Sequence, residues 1–333
     1  MHTISFKVVR LLTLFCSALI LSNTYAASQL EEQKDWPRAL RVGTASIGGT
    51  YYAYGSAWTK LVEEKVKIQT TAQATGGPLQ NIPLVSMGDM EFGQAVMVDA
   101  YEGYKGEGWA KGKGTYQNIR AVFPMYPSYW HFWANKETGI EQIGDLNGKR
   151  LIIGPIGGTP DIQARRFLPL FDIKPNAMIN AAYGDANQLM RDGQADANFT
   201  TSGIPHPAAI ELQTNKELNI FGIEGELAEK YLAVAPLAKC SIPANTYKQQ
   251  TQSIDTVCGW DVVFTNKDMA DELVYQVVKS VLENNSNLVA GHAAAKNTLA
   301  ENVKFIGIPL HRGAARYYKE LGLVIPAAAM PID

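Results

Sequence analysis

Two α/β lobes of similar plan, with a ligand cleft between them, make the fold class that this 333-residue sequence predicts. Three observations carry it. A short apolar strand, an Ile-Gly-Gly-Thr loop and a helix follow one another around Gly48, and again around Gly157. Both copies continue in the same order, through a short helix ended by glycine to a further strand. Their closing phrases match, M-G-D-M-E-F-G-Q-A-V from Met87 and R-D-G-Q-A-D-A-N-F from Arg191. Repetition of a strand–loop–helix plan in one order is the mark of two similar units.

In the first copy, Leu40-Arg41-Val42 reads as a buried strand and the loop Thr44–Thr50 follows. The next helix places Tyr54, Trp58, Leu61 and Val62 on one apolar face. A strand near Ile68–Gln73, the turn Gly76-Gly77-Pro78, a short helix through Ile82 and Val85, and a strand from Met90 to Val96 complete the unit. In the second copy, Arg150–Ile153 is the strand and Gly154–Thr159 the loop. The helix is expected to start with Thr159 as N-cap, Pro160 at its first position and Asp161 in its first turn. The short helix Asp185–Gly193 and the strand Ala195–Thr200 follow. The chain then returns to its first unit. Trp260–Thr265 is β-like, Asp268 is expected to cap a helix with Val274, Val277, Val278 and Val281 on one face, and a last helix runs from about Ala314 to Leu321. Crossings between the units are expected near Pro124–His131 and Cys240–Trp260.

Composition is that of an ordinary soluble chain, with 46% hydrophobic residues and 30 basic against 32 acidic side chains. This balance gives no reason to expect nucleic acid. The N-terminus differs from the rest. Lys7 and Arg10 precede an apolar run, Leu11–Leu21, and a small-residue exit ending at Ala26-Ala27, the pattern of a cleavable signal peptide over residues 1–26. That run is short of the roughly 20 apolar residues that span a bilayer. Export makes the remaining cysteines, Cys240 and Cys258, an even pair in an oxidising compartment: a disulfide is expected, with two buried free thiols the alternative.

A strand that ends in a glycine turn and opens a helix presents unpaired backbone N–H groups at the positive end of the helix dipole. Such an end suits a carboxylate or phosphate, and glycine lets the ligand come close. Two such ends facing one another would grip a small anion beyond the C-terminal ends of the strands. Neither loop carries the Lys-Ser or Lys-Thr of a P-loop, and neither is G-x-G-x-x-G, so nucleotide binding is excluded. Thr44, Ser46, Thr50, Gln73, Thr75, Gln94, Thr200, Thr201 and Ser202 supply hydroxyls and amides around the loops, with no Lys or Arg. An anion held only by such groups is easily released, which suits a carrier better than an enzyme. No H-E-x-x-H, no metal-ligand spacing and no G-x-S-x-G elbow occurs, so no catalytic residue, metal or cofactor is expected. His206, between Pro205 and Pro207, and Tyr52 and Tyr126 are candidates for the cleft wall; Tyr51 and Trp260 fit either wall or core. His131 reads as a core or hinge residue, and Arg165 and Arg166 as a solvated helix face.

The ordered phrases R-V-G-T-A-S-I-G-G-T-Y-Y, A-T-G-G-P-L-Q-N, I-R-A-V-F-P-M-Y-P, D-L-N-G-K-R-L-I-I-G-P-I-G-G-T and I-P-L-H-R-G-A-A-R-Y-Y resemble the TAXI family of solute receptors of TRAP transporters, over nearly all of the chain after the leader. The resemblance implies a two-lobed periplasmic-binding-protein fold, type II-like, with residues 37–127 plus 260–333 as one lobe and 128–259 as the other. It implies a monomeric periplasmic receptor that closes on a small organic acid, 2-oxoglutarate, another dicarboxylate or a glutamate-like acid, and delivers it to sodium-coupled membrane permease subunits. A receptor for an ATP-driven importer is the alternative. Carried onto this chain, the implied ligand contacts are Ser46, Ile47, Gly48, Gly49, Thr50, Tyr52, Gly76, Gly77, Gln94, Tyr126, Gly158, Thr159, Thr200 and Ser202.

Overall fold

The computed structural model describes residues 35–332; the expected signal peptide lies outside them. From Arg38 onward the chain forms one compact unit. Its first part runs β1 (Ala39–Gly43), α1 (Thr50–Val66), β2 (Gln69–Gln73), α2 (Pro78–Met87), β3 (Phe92–Val96) and α3 (Met97–Lys105). After the long strand β4 (Ile119–Asn135) come β5 (Arg150–Ile152), α4 (Thr159–Leu170), β6 (Ala177–Ile179), α5 (Tyr183–Arg191) and β7 (Ala197–Ser202). Next are α6 (Pro207–Leu212), β8 (Leu218–Gly222), α7 (Gly225–Leu232), β9 (Ala238–Ile242) and β10 (Ile254–Asn266), and helices α8 (Asp271–Leu282), α9 (Asn285–Gly291) and α10 (Arg312–Glu320) end the fold.

The strand order is β2-β1-β3-β10-β4-β7-β5-β6, with β8 added to β4 and β9 to β10. β1 lies parallel between β2 and β3, and β5 lies parallel between β6 and β7. These two parallel halves are the structural form of the repeated phrase. Between them run β4 and β10, antiparallel to each other and long enough to serve both halves. The first part of β4 pairs with the end of β10, and its last part lies between β7 and β8. The prolines of β4 fall where the ladder is broken: Pro124 faces Val262 and Pro127 faces Trp260, on either side of a register shift in β10. Proline has no N–H to give to a ladder and is tolerated at bulges, which bend a strand and raise its twist.

Side chains of β4 alternate between two layers, as the period of a strand requires. Trp130, Phe132 and Ala134 pack with Phe167, Phe199 and Phe221, whereas Trp133 packs on the opposite face with Tyr183, Ala209 and Leu212. The apolar face of α1 buries Tyr54, Trp58, Leu61 and Val62, and Trp58 meets the edges of Phe92 and Phe123 at 6.1 and 5.6 Å. That helix stops where Lys67 takes a left-handed conformation, φ 63°, and gives its N–H to the Glu63 carbonyl.

Two helix starts differ from expectation. The N-cap of α4 is Gly158, and Thr159 is its first residue, because the Thr159 hydroxyl is committed elsewhere, donating to Asp99 Oδ2 at 2.5 Å. Asp268 does not cap α8, which begins at Asp271 after Ala270. Asn266 makes its own turn there, its Oδ1 accepting the Asp268 N–H at 3.0 Å, so the helix starts later with Asp271 and Glu272 in its positive first turn.

Contacts between the halves cluster at α3 and α4. Beside the Asp99–Thr159 bond, Arg166 forms a two-pronged pair with Glu102 at 2.9 and 3.1 Å. Thr50 reaches across to the Gly203 carbonyl at 3.2 Å. Asp99 is wholly buried, and burial pushes its carboxyl up to about 7, with the Thr159 hydrogen bond pulling the other way. On the far side of the crossing, β9 pairs with the first part of β10, and Cys240 and Cys258 are bonded with Cα atoms 5.8 Å apart.

Two expected outcomes follow from this arrangement. The chain from Ala27, denatured without reductant, should titrate no thiol. Replacing Cys258 by Ser should lower the unfolding free energy by about 3 kcal/mol, the chain-entropy value for a loop of roughly this length; two free thiols would rule the bridge out. For Asp99 the sign is set by a folded value above the ordinary 3.8. Between pH ~4 and ~7 the folded chain holds a proton that the unfolded chain has lost, so this group's contribution to stability falls as pH rises. Asp99→Asn removes that slope. Its stability relative to the parent should therefore grow by an amount on the order of 4 kcal/mol from pH 4 to 7, read by urea denaturation at several pH values. A difference that stays flat with pH would refute the assignment.

Candidate functional site

The two glycine loops meet over a cavity of ≈ 40 Å³. Its lining comes from five places: Ala45, Ser46, Gly49, Thr50 and Tyr51 before and in α1; Gly76, Gly77 and Pro78 at the start of α2; Pro155, Gly158, Thr159 and Pro160 at the start of α4; Tyr183 at the start of α5; and Thr201, Ser202 and His206 at and beyond the end of β7. No Lys, Arg, Asp or Glu is among them. With about 10–15 Å³ needed per water, the space takes about three water-sized groups, the size of one carboxylate and its neighbour.

The repeated sequence produces repeated geometry. Gly48 and Gly157 both adopt left-handed backbone, φ 87° and 74°, which glycine takes without steric cost. Each is followed by a glycine N-cap, Gly49 for α1 and Gly158 for α4, and neither helix start is capped by a side chain. The starts of α2 at Gly77 and α5 at Ala182 also lack side-chain caps. Their first backbone N–H groups have no intrahelical acceptor, so four positive helix ends border one small space. Asn81 holds the first loop in place. Its amide donates to the carbonyls of Gly43, Thr44 and Gln94 at 3.1, 2.8 and 3.0 Å.

Of the residues singled out from the sequence, Ser46, Gly49, Thr50, Tyr51, Gly76, Gly77, Gly158, Thr159, Thr201, Ser202 and His206 line the cavity together. The others stand apart from it. Ile47 is 64% exposed on the outer side of its loop. Gly48 backs onto Tyr183, where a Cβ would come 3.5 Å from the Tyr183 Cβ. Tyr52 is half-buried on α1, outside the lining. Gln94 is buried behind α1; in the amide orientation that satisfies both its ends it donates to the Tyr51 carbonyl at 3.0 Å and accepts the Trp58 indole N–H at 2.9 Å. Tyr126 is buried edge-on against Tyr54, ring centres 5.0 Å apart. Thr200 lies one layer back, its hydroxyl sharing a 2.9 Å bond with the Tyr183 hydroxyl. Trp260 stacks on Phe305, Arg165 pairs with Asp161, and His131 is buried.

Sequence reasoning missed Tyr183 and Pro155. The signal for Tyr183 was present in the duplication, since α5 is the counterpart of α2 and Tyr183 stands at its start as Pro78 does in α2. Asp99 and Asn81 carried no motif at all. They act through backbone and hydroxyl partners far away in sequence.

Electrostatically the cavity is neutral and rich in donors. Tyr51 and Ser128 donate to the two oxygens of Asp261 at 2.9 and 2.6 Å, and burial drives that carboxyl well above its usual range. His206 is fully buried, and burial drives its imidazole well below the usual value, so the ring is uncharged. Its Nδ1 accepts the Ala208 N–H at 3.1 Å, which leaves the proton on Nε2. Nε2 of His206, Oγ of Ser46 and Oγ of Ser202 are buried with no hydrogen-bond partner among the described residues. Buried polar groups are nearly always paired, so three orphans around one cavity point to a bound group with acceptor atoms. Ser202 and His206 are not a nucleophile and its base. The free ring nitrogen already carries a proton, and the other lone pair is taken by a backbone N–H.

Among the described residues no helix is long and apolar enough to cross a membrane, and no three His, Cys, Asp or Glu residues are grouped to hold a metal ion. Solved structures of similar shape include MatC from Rhodopseudomonas palustris with bound malate, at 12% identity and a TM-score of 0.53 over 85% of this chain and 96% of that one. PhnD1 from Prochlorococcus marinus in complex with methylphosphonate matches at 11% identity and a TM-score of 0.49, over 79% and 92% of the two chains. The alkanesulfonate-binding protein SsuA from Xanthomonas axonopodis pv. citri matches at 15% identity and a TM-score of 0.46, over 85% and 84%. The first of these establishes the fold, the two-lobed α/β fold of periplasmic binding proteins with its cleft. The model of the NMT1-like family matches residues 42–322, a span that takes in both glycine loops, the cavity and both crossing strands, and the chain therefore belongs to the NMT1-like family.

Proposed function

We propose that this protein is an exported solute receptor that closes its two halves over a small organic acid and hands it to a membrane permease. The observation that carries the reading is the lining itself: uncapped helix starts and unpartnered neutral donors, with no charged side chain. A carboxylate is the ligand chemistry that such donors complement. Each charge-assisted hydrogen bond contributes roughly 1.5–3 kcal/mol, and a helix end adds about 0.3–1 kcal/mol, up to ~2 when partly buried. Several of these sum to firm binding, while the absence of a buried ion pair leaves release easy. A lining without a nucleophile–base pair supports a carrier, which returns its ligand unchanged, over an enzyme.

In this reading the lobes are residues 37–127 with 260–333, and 128–259, and they hinge where β4 and β10 pass the bulge at Pro124–Pro127. The leader directs the chain to the periplasm, where it acts as a monomer. The resemblance to TAXI receptors supports a sodium-coupled TRAP permease as the partner, and dicarboxylates such as 2-oxoglutarate, or glutamate-like acids, as the ligands to try first. Uptake that requires ATP and not a sodium gradient would reassign the partner to an ATP-driven importer without altering the cavity chemistry.

A thermal-shift screen of organic acids should find one that raises the melting temperature; at a hundred times its Kd it adds about 2.7 kcal/mol. The acid should be recovered unchanged after prolonged incubation, and turnover to a product would overturn the carrier reading. The loop glycines supply a sharper test. Gly49 and Gly158 have ordinary backbone, φ −96° and −76°, so a side chain there does not strain the chain. Yet a Cβ on Gly49 would lie 3.0 Å from the Tyr183 ring, and one on Gly158 would lie 3.2 Å from the Pro155 carbonyl and 3.7 Å from that of Gly76. Gly49→Val and Gly158→Val should each prop the loops apart and weaken binding at least tenfold, about 1.4 kcal/mol. Gly144→Val, where nothing lies within 4 Å of the new Cβ, should leave affinity unchanged. Calorimetry on folded variants decides it, and full affinity in both loop variants would mean that the loops are turns and no more.

A further inference from the structure

His206 is held more firmly than a cavity wall requires. Its backbone N–H donates to the Tyr247 hydroxyl oxygen at 3.0 Å, and Tyr247 Oη lies 2.7 Å from His131 Nε2. His131 Nδ1 faces the Tyr129 carbonyl at 3.0 Å, an acceptor only, so Nδ1 carries the ring proton. Burial holds His131 neutral, lowered to about 4, so its Nε2 accepts and Tyr247 donates to it. The chain of bonds thus runs from the crossing strand β4 through His131 and Tyr247 to the backbone of His206. Trp133 and Tyr183 pack against the His206 imidazole with ring centres at 5.1 and 4.4 Å. With Nδ1 fixed on the Ala208 N–H, the one free atom of this immobilised ring is an Nε2–H donor at the cavity.

We infer that His206, with Ser202 beside it, forms a donor subsite that selects an acid bearing an acceptor oxygen on the carbon next to its carboxylate, a 2-oxo or 2-hydroxy acid, over the 2-amino acid of the same skeleton. This rests on the receptor reading above and deepens it. The size of the cavity ties the two groups together. In ≈ 40 Å³ a carboxylate at the helix starts leaves room for about one further group, and we place that group, on the neighbouring carbon, at His206. An ammonium in that place would offer only donors, and it would face a fixed N–H. No Asp or Glu lines the cavity to balance it; of the acids behind the lining, Asp261 is engaged by Tyr51 and Ser128 and Asp99 by Thr159. A site built to hydrogen-bond one group rejects the analogue that cannot return the bond. His206 and Ser202 touch the ligand, and Tyr247 and His131 are positioning residues.

Calorimetry on the purified, ligand-stripped protein tests this with two matched pairs, 2-oxoglutarate against L-glutamate and pyruvate against L-alanine. In whichever pair binds, the oxo acid should bind at least tenfold more tightly. His206→Ala should bring the ratio close to one, by loss of oxo-acid affinity alone. His206→Asn should do the same while its Oδ1 still accepts the Ala208 N–H, which separates loss of the donor from loss of the helix cap. Tyr247→Phe should narrow the ratio severalfold with the amino-acid affinity unmoved, an outcome that general loosening would not give. If His206→Ala does not fold, the Asn and Phe variants decide. Equal affinities in the parent protein, a tighter amino acid, or a ratio that survives in folded His206→Asn would each overturn the inference and leave the receptor reading standing. Binding of none of the four acids would overturn the inference, and the receptor reading falls with it if the organic-acid screen also finds no ligand.

Discussion

The pairing of β4 with β10 is the constraint on which the rest of the molecule depends. These two strands are the backbone common to both parallel halves, and their ladder runs from Ile119–Asn266 at one end to Tyr129–Cys258 at the other. Every element of the cavity is placed by a strand that hangs on this ladder. β1 and β3 aim the first loop from one side, and β5 and β7 aim the second loop and Thr201–Ser202 from the other. The ladder is interrupted opposite Pro124 and Pro127, where two backbone donors are absent, so its weakest point lies between the halves. Under the receptor reading proposed above, closure of the halves would draw on compliance there and stiffness elsewhere.

The cavity solves an electrostatic problem by omission. It brings several helix starts to one space, which by itself favours negative charge, and adds no basic side chain; under the receptor reading that leaves an anion easy to release. Two acids lie close behind it, and both are kept from acting as charges at the wall. Asp261 is capped by Tyr51 and Ser128 and buried, and Asp99 is engaged by Thr159 beside the Glu102–Arg166 pair. Burial raises both carboxyls, so the space in front of them keeps its donor character. The same contacts join α3 to α4, so the junction of the two halves and the charge state beside the cavity share Asp99.

Much of the fold was legible because it was written twice. A strand, a glycine turn and a helix start are local events, fixed by hydrophobic period, by the backbone freedom of Gly48 and Gly157 and by the missing N–H of proline. The apolar face of α1 and the run of valines on α8 read out directly for the same reason. Boundaries slipped where a side chain had a better use at long range. Thr159 has the chemistry of an N-cap, but Asp99, 60 residues earlier in the chain, takes its hydroxyl. Asp268 lost its expected place to a turn made by Asn266.

The sequence by itself determined the two-unit plan, the glycine loops at the helix starts and the absence of charge around them, because each depends on residues adjacent in the chain. Tertiary structure alone decided which hydroxyls meet at one point. It turned Thr200 onto Tyr183, buried Tyr126 and Gln94 behind α1, and left Ile47 facing outward. It also supplied Tyr183 and Asn81 and built the line from Tyr129 through His131 and Tyr247 to His206. Those choices rest on contacts between segments far apart in sequence, where the direction of a side chain is set by what packs behind it and no local pattern records the partner.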